Sequence, residues 1–486
     1  MKKVVIVGSG TAGLIAGIYL RELFPKYDIQ IISSSSIGII GVGEGSTEHW
    51  KWFQDICHIN VLDLIREAEA THKYGIRFEG WTNHTPDYFH SVSNEGMLHK
   101  GTFFASYAFA LANGFPLTEA FGSRGLKLDS IENTEFVHNN PNQFHFNTFK
   151  LNDFFKNICI ERNVPVTDGE VISVFKDPEN GFITSINLKD GKNISGDFFI
   201  DASGFRRILM NQMEDNEFVS YSEFLPCDST IAFPTPSDPS GRIRPYTRAR
   251  AMKSGWMFEI PTQSRRGNGY VYSSRHCSTD EAIREASEVH GFEVEPAKII
   301  NFRAGYYKQS WQKNCVAVGL ASAFVEPLEA TSIGSTIQQL KLLGSYLPTF
   351  GTHTKRSQIE YHRIMDSIME NIVSMISLHY VSDRTDSPMW RDQQSAKRPE
   401  LLNNLLDIWG ERPPEHHDVP TTGFELFTQN HFWHVAQGQG VLNQNTAKAQ
   451  LEHYQANQPL EGFYALLRAR LDSSPLIDHA FALKNK

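Results

Sequence analysis

The chain begins with a β-branched run, Lys3-Val4-Val5-Ile6-Val7, apolar after its lysine. Such a run predicts a strand buried in a parallel sheet. Leu14, Ile15, Ile18, Tyr19, Leu20 and Leu23 then recur at helical spacing, and Asp28 to Ile32 is a second strand candidate. Strand, helix and strand together make a βαβ unit. The pattern of a strand followed by small residues returns at Asp197–Gly204 and at Asn314–Ala323. Aromatic-rich segments, Trp81 to Phe121 and Phe218 to Tyr272, lie between these repeats and predict a second layer with part of a substrate pocket. After Gly334 the pattern changes. Ile364, Ile368, Ile372 and Ile376, with Met365, Met369 and Val373, form a helical stripe whose plain reading is core packing. Gly410-Glu411-Arg412-Pro413-Pro414 breaks this helical region. Phe424, Phe427, Phe432 and Trp433 follow as a cluster that fits either core or a cap on the substrate site.

Between the first strand and the first helix stands Gly8-Ser9-Gly10-Thr11-Ala12-Gly13, a G-x-G-x-x-G. Gly8 allows the tight turn, Gly10 lets the backbone approach a pyrophosphate, and Gly13 lets helix and strand pack closely. The helix N-terminus adds unpaired N–H groups and a partial positive charge. An ordinary glycine-rich turn is the competing reading, but the position directly between strand and helix favours a dinucleotide site. One residue departs from the pattern. Strand two normally ends in an acid that binds the adenosine ribose. Here Ser33 opens a run of four serines, Ser33 to Ser36. Serine cannot clamp both ribose hydroxyls as a carboxylate does, so weaker cofactor binding or a replacement contact is expected.

Composition narrows the class. The chain has 486 residues, 40% hydrophobic and 21% charged, which suits one large domain or two to three ordinary ones. The charge balance of 46 bases against 55 acids, net −9, comes without a long basic run, so no nucleic-acid partner is expected. Five cysteines, widely spaced and without CxxC, argue against a disulfide framework or a zinc ribbon and suggest reduced thiols in a cytoplasmic protein. No apolar run is long enough to cross a membrane, so no membrane partner is expected either. The 19 histidines contain no HExxH. His431 and His434 lie one helical turn apart, a spacing that more often means packing or surface than metal, and no metal is expected.

Further segments resemble the tryptophan halogenase type of flavin-dependent halogenase. Gly41-Val42-Gly43-Glu44-Gly45 resembles the family's GVGE segment beside the flavin. His72-Lys73-Tyr74-Gly75-Ile76-Arg77-Phe78 resembles the stretch with its catalytic lysine. Gly255-Trp256-Met257-Phe258-Glu259-Ile260-Pro261 resembles its W-x-W-x-I-P signature, with Phe258 in place of the second tryptophan. Phe324-Val325-Glu326-Pro327-Leu328-Glu329-Ala330-Thr331-Ser332-Ile333 resembles the segment with its catalytic glutamate and halide site. The matches run in family order from residue 4 to about 345, and beyond that the likeness is mainly compositional.

The resemblance implies an α/β protein with α+β elaborations, an FAD-binding Rossmann-like fold of the flavin monooxygenase type. An FAD module over residues 1–345 would carry substrate-layer segments at about 75–150 and 205–300, with a mainly helical cover over 346–486. It implies that FADH2 and O2 convert a halide (chloride, bromide or iodide) to hypohalous acid, which halogenates an electron-rich aromatic such as an indole. Implied cofactor contacts are Gly8, Gly10, Thr11, Ala12, Gly13, Ser33, Glu44, Gly45, Val171, Asp201, Leu320 and Ile333. The halide would meet Thr331 and Ser332, where serine replaces the family's usual glycine and reduces φ freedom. Lys73 would activate the hypohalous acid, by hydrogen bonding or as a haloamine. Glu329 would orient the electrophile or deprotonate the ring intermediate. The alternatives are a solvated lysine and a helix-terminal charge partner. Trp256, Phe258, Ile260 and Pro261 would wall off the flavin so that substrate is not oxygenated; their other reading is one face of a half-buried strand. With no second nucleotide fingerprint (Gly438-Gln439-Gly440 lacks a preceding strand), FADH2 would come from a separate flavin reductase. A homo-oligomer is left open. An FAD-dependent aromatic monooxygenase and a non-catalytic flavin-binding protein are the other functions weighed, and a hydroxylase has no need of the Lys73–Glu329 pair.

Overall fold

The computed structural model describes residues 2–38, 41, 43–91, 103–115, 143–214, 216–239, 242–349 and 354–455, with 465, 469, 481 and 482 besides. Parts of the aromatic segment 81–121 and of the cover 346–486 therefore lie outside the described residues. The chain divides into two compact units, residues 1–70, 146–221 and 302–369 in one, and 71–145, 222–301 and 370–486 in the other.

The first unit is built on a six-stranded sheet, in the order Trp311–Gln312, Cys315–Ala317, Phe198–Asp201, Lys3–Val7, Asp28–Ser33, Val166–Asp168. All neighbours are parallel except the terminal pair Trp311–Gln312 and Cys315–Ala317. Val4, Val5 and Ile6 are fully buried, as the unbroken apolar run predicts. The register sets Val7 opposite both Asp201 and Ile32, so the carboxyl ends of these strands finish level. Helices Thr11–Leu23, Thr148–Glu161 and Thr331–Tyr346 belong to this unit, and the first packs against the other two. A three-stranded antiparallel sheet, Val171–Lys176, Ile183–Leu188 and Asn193–Ser195, completes a core around Val5, Val7, Ile186, Leu188 and Phe199.

The second unit centres on a seven-stranded sheet. Its order is Lys298–Asn301, Ser229–Pro236, Arg265–Tyr272, Gly255–Pro261, Thr247–Ala251, Gly75–Glu79, Asp87–Ser91. Cross-strand register separates two faces. Phe78 opposes Tyr88 and Ala249 opposes Phe258, which gives an aromatic face. Arg248 opposes both Glu259 and Arg77, while Arg250 opposes Glu79, which gives a charged one. There Glu79 accepts from Arg248 at 2.7 and 2.8 Å and from Arg250 at 3.4 Å, and these guanidinium groups hold its carboxyl below the usual range against the opposing effect of burial. Helix Thr279–His290 covers the strands Ser229–Pro236 and Arg265–Tyr272, and helix Gln429–Gly438 packs on Asp87–Ser91. Helix Thr354–His379, which begins in the first unit and ends in the second, carries the predicted isoleucine stripe: Ile364, Ile368, Ile372 and Ile376 are all buried. Of the aromatic cluster, Phe427, Phe432 and Trp433 are buried and Phe424 is half-buried.

Candidate active site

In the first unit the glycine turn is shaped by contact. Gly8 has φ +113, and a Cβ there would lie 2.3 Å from the Ala202 carbonyl oxygen. A Cβ on Gly13 would lie 1.9 Å from the Gly8 oxygen, which is the close helix–strand approach the motif predicts. A Cβ on Gly10 would meet nothing within 4 Å. Gly10 caps the helix Thr11–Leu23 in an extended conformation, with no side-chain cap. The first helical amides have no acceptor within the helix. A backbone cradle with open space above Gly10 fits the diphosphate of a dinucleotide. When bound, FAD would supply the redox chemistry there.

Around this cradle the chain knots tightly. The Thr11 hydroxyl donates to Glu44 at 3.2 Å and accepts from Asn152 Nδ2 at 3.2 Å. The Gly43 amide donates to Thr148 Oγ1 at 3.3 Å, and a Cβ on Gly41 would strike the Thr148 side chain at 2.7 Å. Helix Thr148–Glu161 therefore holds the glycine segment against Thr11 through its first two turns. Glu44 is half-buried. Burial pushes its carboxyl up to about 7, against the downward pull of the Thr11 hydrogen bond. The Ser33 hydroxyl is shared with that of Ser9.

The two later turns join the same sheet end. A Cβ on Gly319 would approach Ala12 Cβ to 2.7 Å. Gln339 fixes this turn, accepting from the Gly319 amide at 3.1 Å and donating to Ser322 Oγ at 2.7 Å. Leu320 is half-buried in the turn, while Val171 packs against the core of the unit. Asp201 is wholly buried, and its carboxylate accepts from the amides of Ser203, Leu209 and Met210 at 2.8 to 3.0 Å. Its hydrogen bonds shape the turn after its strand.

The halogenase-like segment also has a defined shape. Pro327–Glu329 is one turn of 3-10 helix, Ala330 takes φ +55, and helix Thr331–Tyr346 starts at once. The left-handed residue is Ala330, while Ser332 is helical. Ser332 therefore needs no glycine-like φ freedom, and serine at this position leaves the first-turn amides in place. Glu329, Thr331 and Ile333 are buried at 3%, 3% and 4% exposure.

The second unit carries Lys73. It follows the short strand Thr71–His72, whose residues pair with His145 and Phe144. The Lys73 amide donates to the Gln143 carbonyl at 2.8 Å, and the Tyr74 amide donates to that of Pro245 at 2.8 Å. Thr71 Oγ1 donates to the Pro261 carbonyl at 2.7 Å, tying the lysine segment to the end of strand Gly255–Pro261. Lys73 is 2% exposed, so the solvated-lysine reading fails. Lysine is rarely buried this fully without a partner or a task. Close by, His145 shares hydrogen bonds with Thr247 Oγ1 at 2.8 Å and Thr71 Oγ1 at 3.3 Å. Burial holds this imidazole well below its usual range, and the charges of Lys73 and His72 press the same way. Trp256 and Phe258 are buried on the aromatic face with ring centroids 5.9 Å apart. Phe258 lies over Gly269, where a Cβ would come within 2.4 Å of its ring. Ile260 and Pro261 are buried too.

Asn152, Thr148 and Gln339 in the first unit, and Thr71, His145 and Thr247 in the second, escaped the sequence reading. Each is a polar residue buried in a helix or strand, and a single sequence does not separate these from solvated ones. His431 and His434 are both buried, and His431 Nδ1 lies 2.8 Å from His90 Nε2.

A glycine cradle at the carboxyl ends of a parallel sheet, ahead of an uncapped helix N-terminus, fits a dinucleotide-binding protein. The family profile described as tryptophan halogenase matches residues 3–454, well past residue 345 where the readable motifs end. Tryptophan 6-halogenase SttH of Streptomyces toxytricini is 32% identical over 452 residues, covering 86% of this chain and 85% of its own. Tryptophan 7-halogenase RebH of Lentzea aerocolonigenes is 30% identical over 84% of this chain and 81% of its own. Among solved structures, BrvH, a flavin-dependent halogenase from Brevundimonas sp. BAL3, superposes with a TM-score of 0.82 at 27% identity, covering 98% of both chains. The chain belongs to the tryptophan halogenase family, and it is a flavin-dependent halogenase with the FAD-binding Rossmann-like fold.

Proposed function

We propose that this halogenase places an electrophilic halogen on an electron-rich aromatic ring such as an indole, with Lys73 and Glu329 directing the electrophile. The observation that carries the reading is the burial of Lys73, held by backbone hydrogen bonds beside the strand that bears Trp256 and Phe258. Lys73 would bind hypohalous acid through its ε-nitrogen and polarise it toward the ring. Glu329 would orient the electrophile or take the proton that the substituted ring releases. A buried lysine and a buried carboxylate suit this work because burial works against the charged form of each, so protonation is tunable. Thr331 and Ser332 would offer backbone amides to the halide. Trp256, Phe258, Ile260 and Pro261 would keep the aromatic substrate from being oxygenated. FADH2 would be delivered by a separate flavin reductase, as the single nucleotide fingerprint suggests.

SttH and RebH are tryptophan halogenases, and an indole is the first substrate class to test here. The experiment is mass spectrometry of an indole panel incubated with FAD, a flavin reductase, NADH, O2 and each halide in turn. A halogen mass shift that disappears in Lys73→Ala supports the reading. Oxygenated, halogen-free products would replace it with a monooxygenase. Competition among the three halides in one vessel would identify the preferred ion.

A further inference from the structure

We propose that Asp168 accepts the adenosine ribose hydroxyls of the cofactor, the task that the end of the second strand cannot perform. The inference rests on the flavin reading above and adds to it a residue on a different strand. Ser33 stands where the βαβ pattern calls for an acid, and residues 29–38 contain none. Its hydroxyl is already shared with Ser9. The neighbouring strand Val166–Asp168 runs parallel to Asp28–Ser33, and the register sets Asp168 directly opposite Ser33. The Gly169 amide donates to the Ser33 carbonyl at 2.7 Å and locks that height. A carboxylate thus stands at the crevice level where the ribose acid belongs, displaced by one strand spacing, about 4.8 Å.

The way Asp168 is now satisfied points to the same ligand. It is exposed, and each of its two oxygens accepts from Ser35: the Ser35 amide reaches Oδ1 at 2.8 Å and the Ser35 hydroxyl reaches Oδ2 at 2.9 Å. These hydrogen bonds hold the carboxyl below its usual range, so it is ionised and purely an acceptor. One donor to each oxygen is the pattern that the 2′- and 3′-hydroxyls of a ribose present. Ser34 and Ser36 hydrogen-bond each other at 2.9 Å, so Ser35 can withdraw while its neighbours stay linked. The serine run then acts as a stand-in for the diol, released when the nucleotide arrives.

The test is calorimetric titration of the full chain with ADP and with 2′-deoxy-ADP, alongside FAD binding followed by flavin fluorescence. The wild-type protein should prefer ADP by about tenfold, the cost of one hydrogen bond to a charged acceptor. Asp168→Asn should bring the two ligands within about twofold and weaken FAD about tenfold, with an unchanged melting temperature in the free protein. Ser35→Ala, which removes the hydroxyl and keeps the carboxylate, should retain the preference for ADP. Adding Ser33→Asp to Asp168→Asn should restore it. An Asp168→Asn protein that still prefers ADP overturns the proposal and leaves the flavin reading intact. Loss of the preference in Ser35→Ala would also overturn it, because the loop and not the acid would then be responsible. A wild-type chain that binds neither FAD nor ADP overturns both.

Discussion

The groups that burial perturbs beside the glycine cradle differ in kind from those near Lys73. The first holds a carboxyl, Glu44, beside its glycine cradle, and burial raises its pKa to about 7. The second holds imidazoles near its lysine: burial lowers His72 to about 4 and holds His145 well below its usual range. Desolvation favours the neutral form in both places, yet the outcome differs in kind. Burial weakens the charge of the carboxyl that would compete with a diphosphate for the helix N-terminus. Burial likewise works against protonation of the imidazoles near Lys73. The first unit makes its site mainly from backbone, with glycine supplying the room. The second makes its site from side chains packed on a sheet.

The hardest test of this contrast is to remove each unit's central feature. Lys73→Ala should lower halogenated product by about 100-fold or more, within the range of lost acid–base catalysis, while FAD binding stays as in wild type. Mass spectrometry of product and flavin fluorescence read the two halves of that statement. Gly13→Ala should do the reverse. Its Cβ would run into the Gly8 carbonyl oxygen, so flavin affinity should collapse and the first unit lose about 2 kcal/mol or more, seen as a lower melting temperature.

Titration sharpens the comparison further. Folded Glu44 keeps its proton to about pH 7, whereas an unfolded glutamate releases it near 4.5. Between those values the folded state binds more protons, so the contribution of Glu44 to stability falls as pH rises. Folded His72 takes up a proton only near pH 4, against 6.5 for a free imidazole. There the unfolded state binds more protons, and stability falls as pH drops. Hydrogen exchange followed by peptide mass should show 1–70 loosening from pH 5 to 7.5, and 71–91 with 143–145 loosening from pH 6.5 to 4.5. Glu44→Gln should flatten the first trend and leave the second. The smallest effect belongs to Thr71→Val. It removes the bond to the Pro261 carbonyl and should cost about 1 kcal/mol in denaturant unfolding, with a modest loss of activity and unchanged flavin binding.

The same contrast decides what could be read from the sequence alone. The first unit was legible because its chemistry is written in glycines and β-branched runs, which have few alternative uses. Lys3–Val7, the helix after Gly10, and the strands ending at Asp201 and Ala317 all form where the pattern put them. Side-chain partners were less visible. Asp201 carried the pattern of a cofactor acid, yet its carboxylate is taken up by amides of its own turn. Ser332 suggested a loss of backbone freedom that the helical conformation does not require. Lys73 and Glu329 were marked by resemblance, because neither spacing nor periodicity separates a buried charged residue from a solvated one. His145 and Thr247 gave no signal at all: they meet across 102 positions of chain.

Phe258 and Gly269 share one parcel of space, since the phenyl ring occupies the volume a side chain at 269 would claim. Residue 269 can therefore not enlarge while Phe258 stays. Lineages that enlarge residue 269 must shrink residue 258, and an engineer who fits a bulkier aromatic at 258 must leave glycine where it is. Substitutions at 258 and 269 are thus coupled, and two-site libraries should find tolerated combinations that single-site scanning would discard.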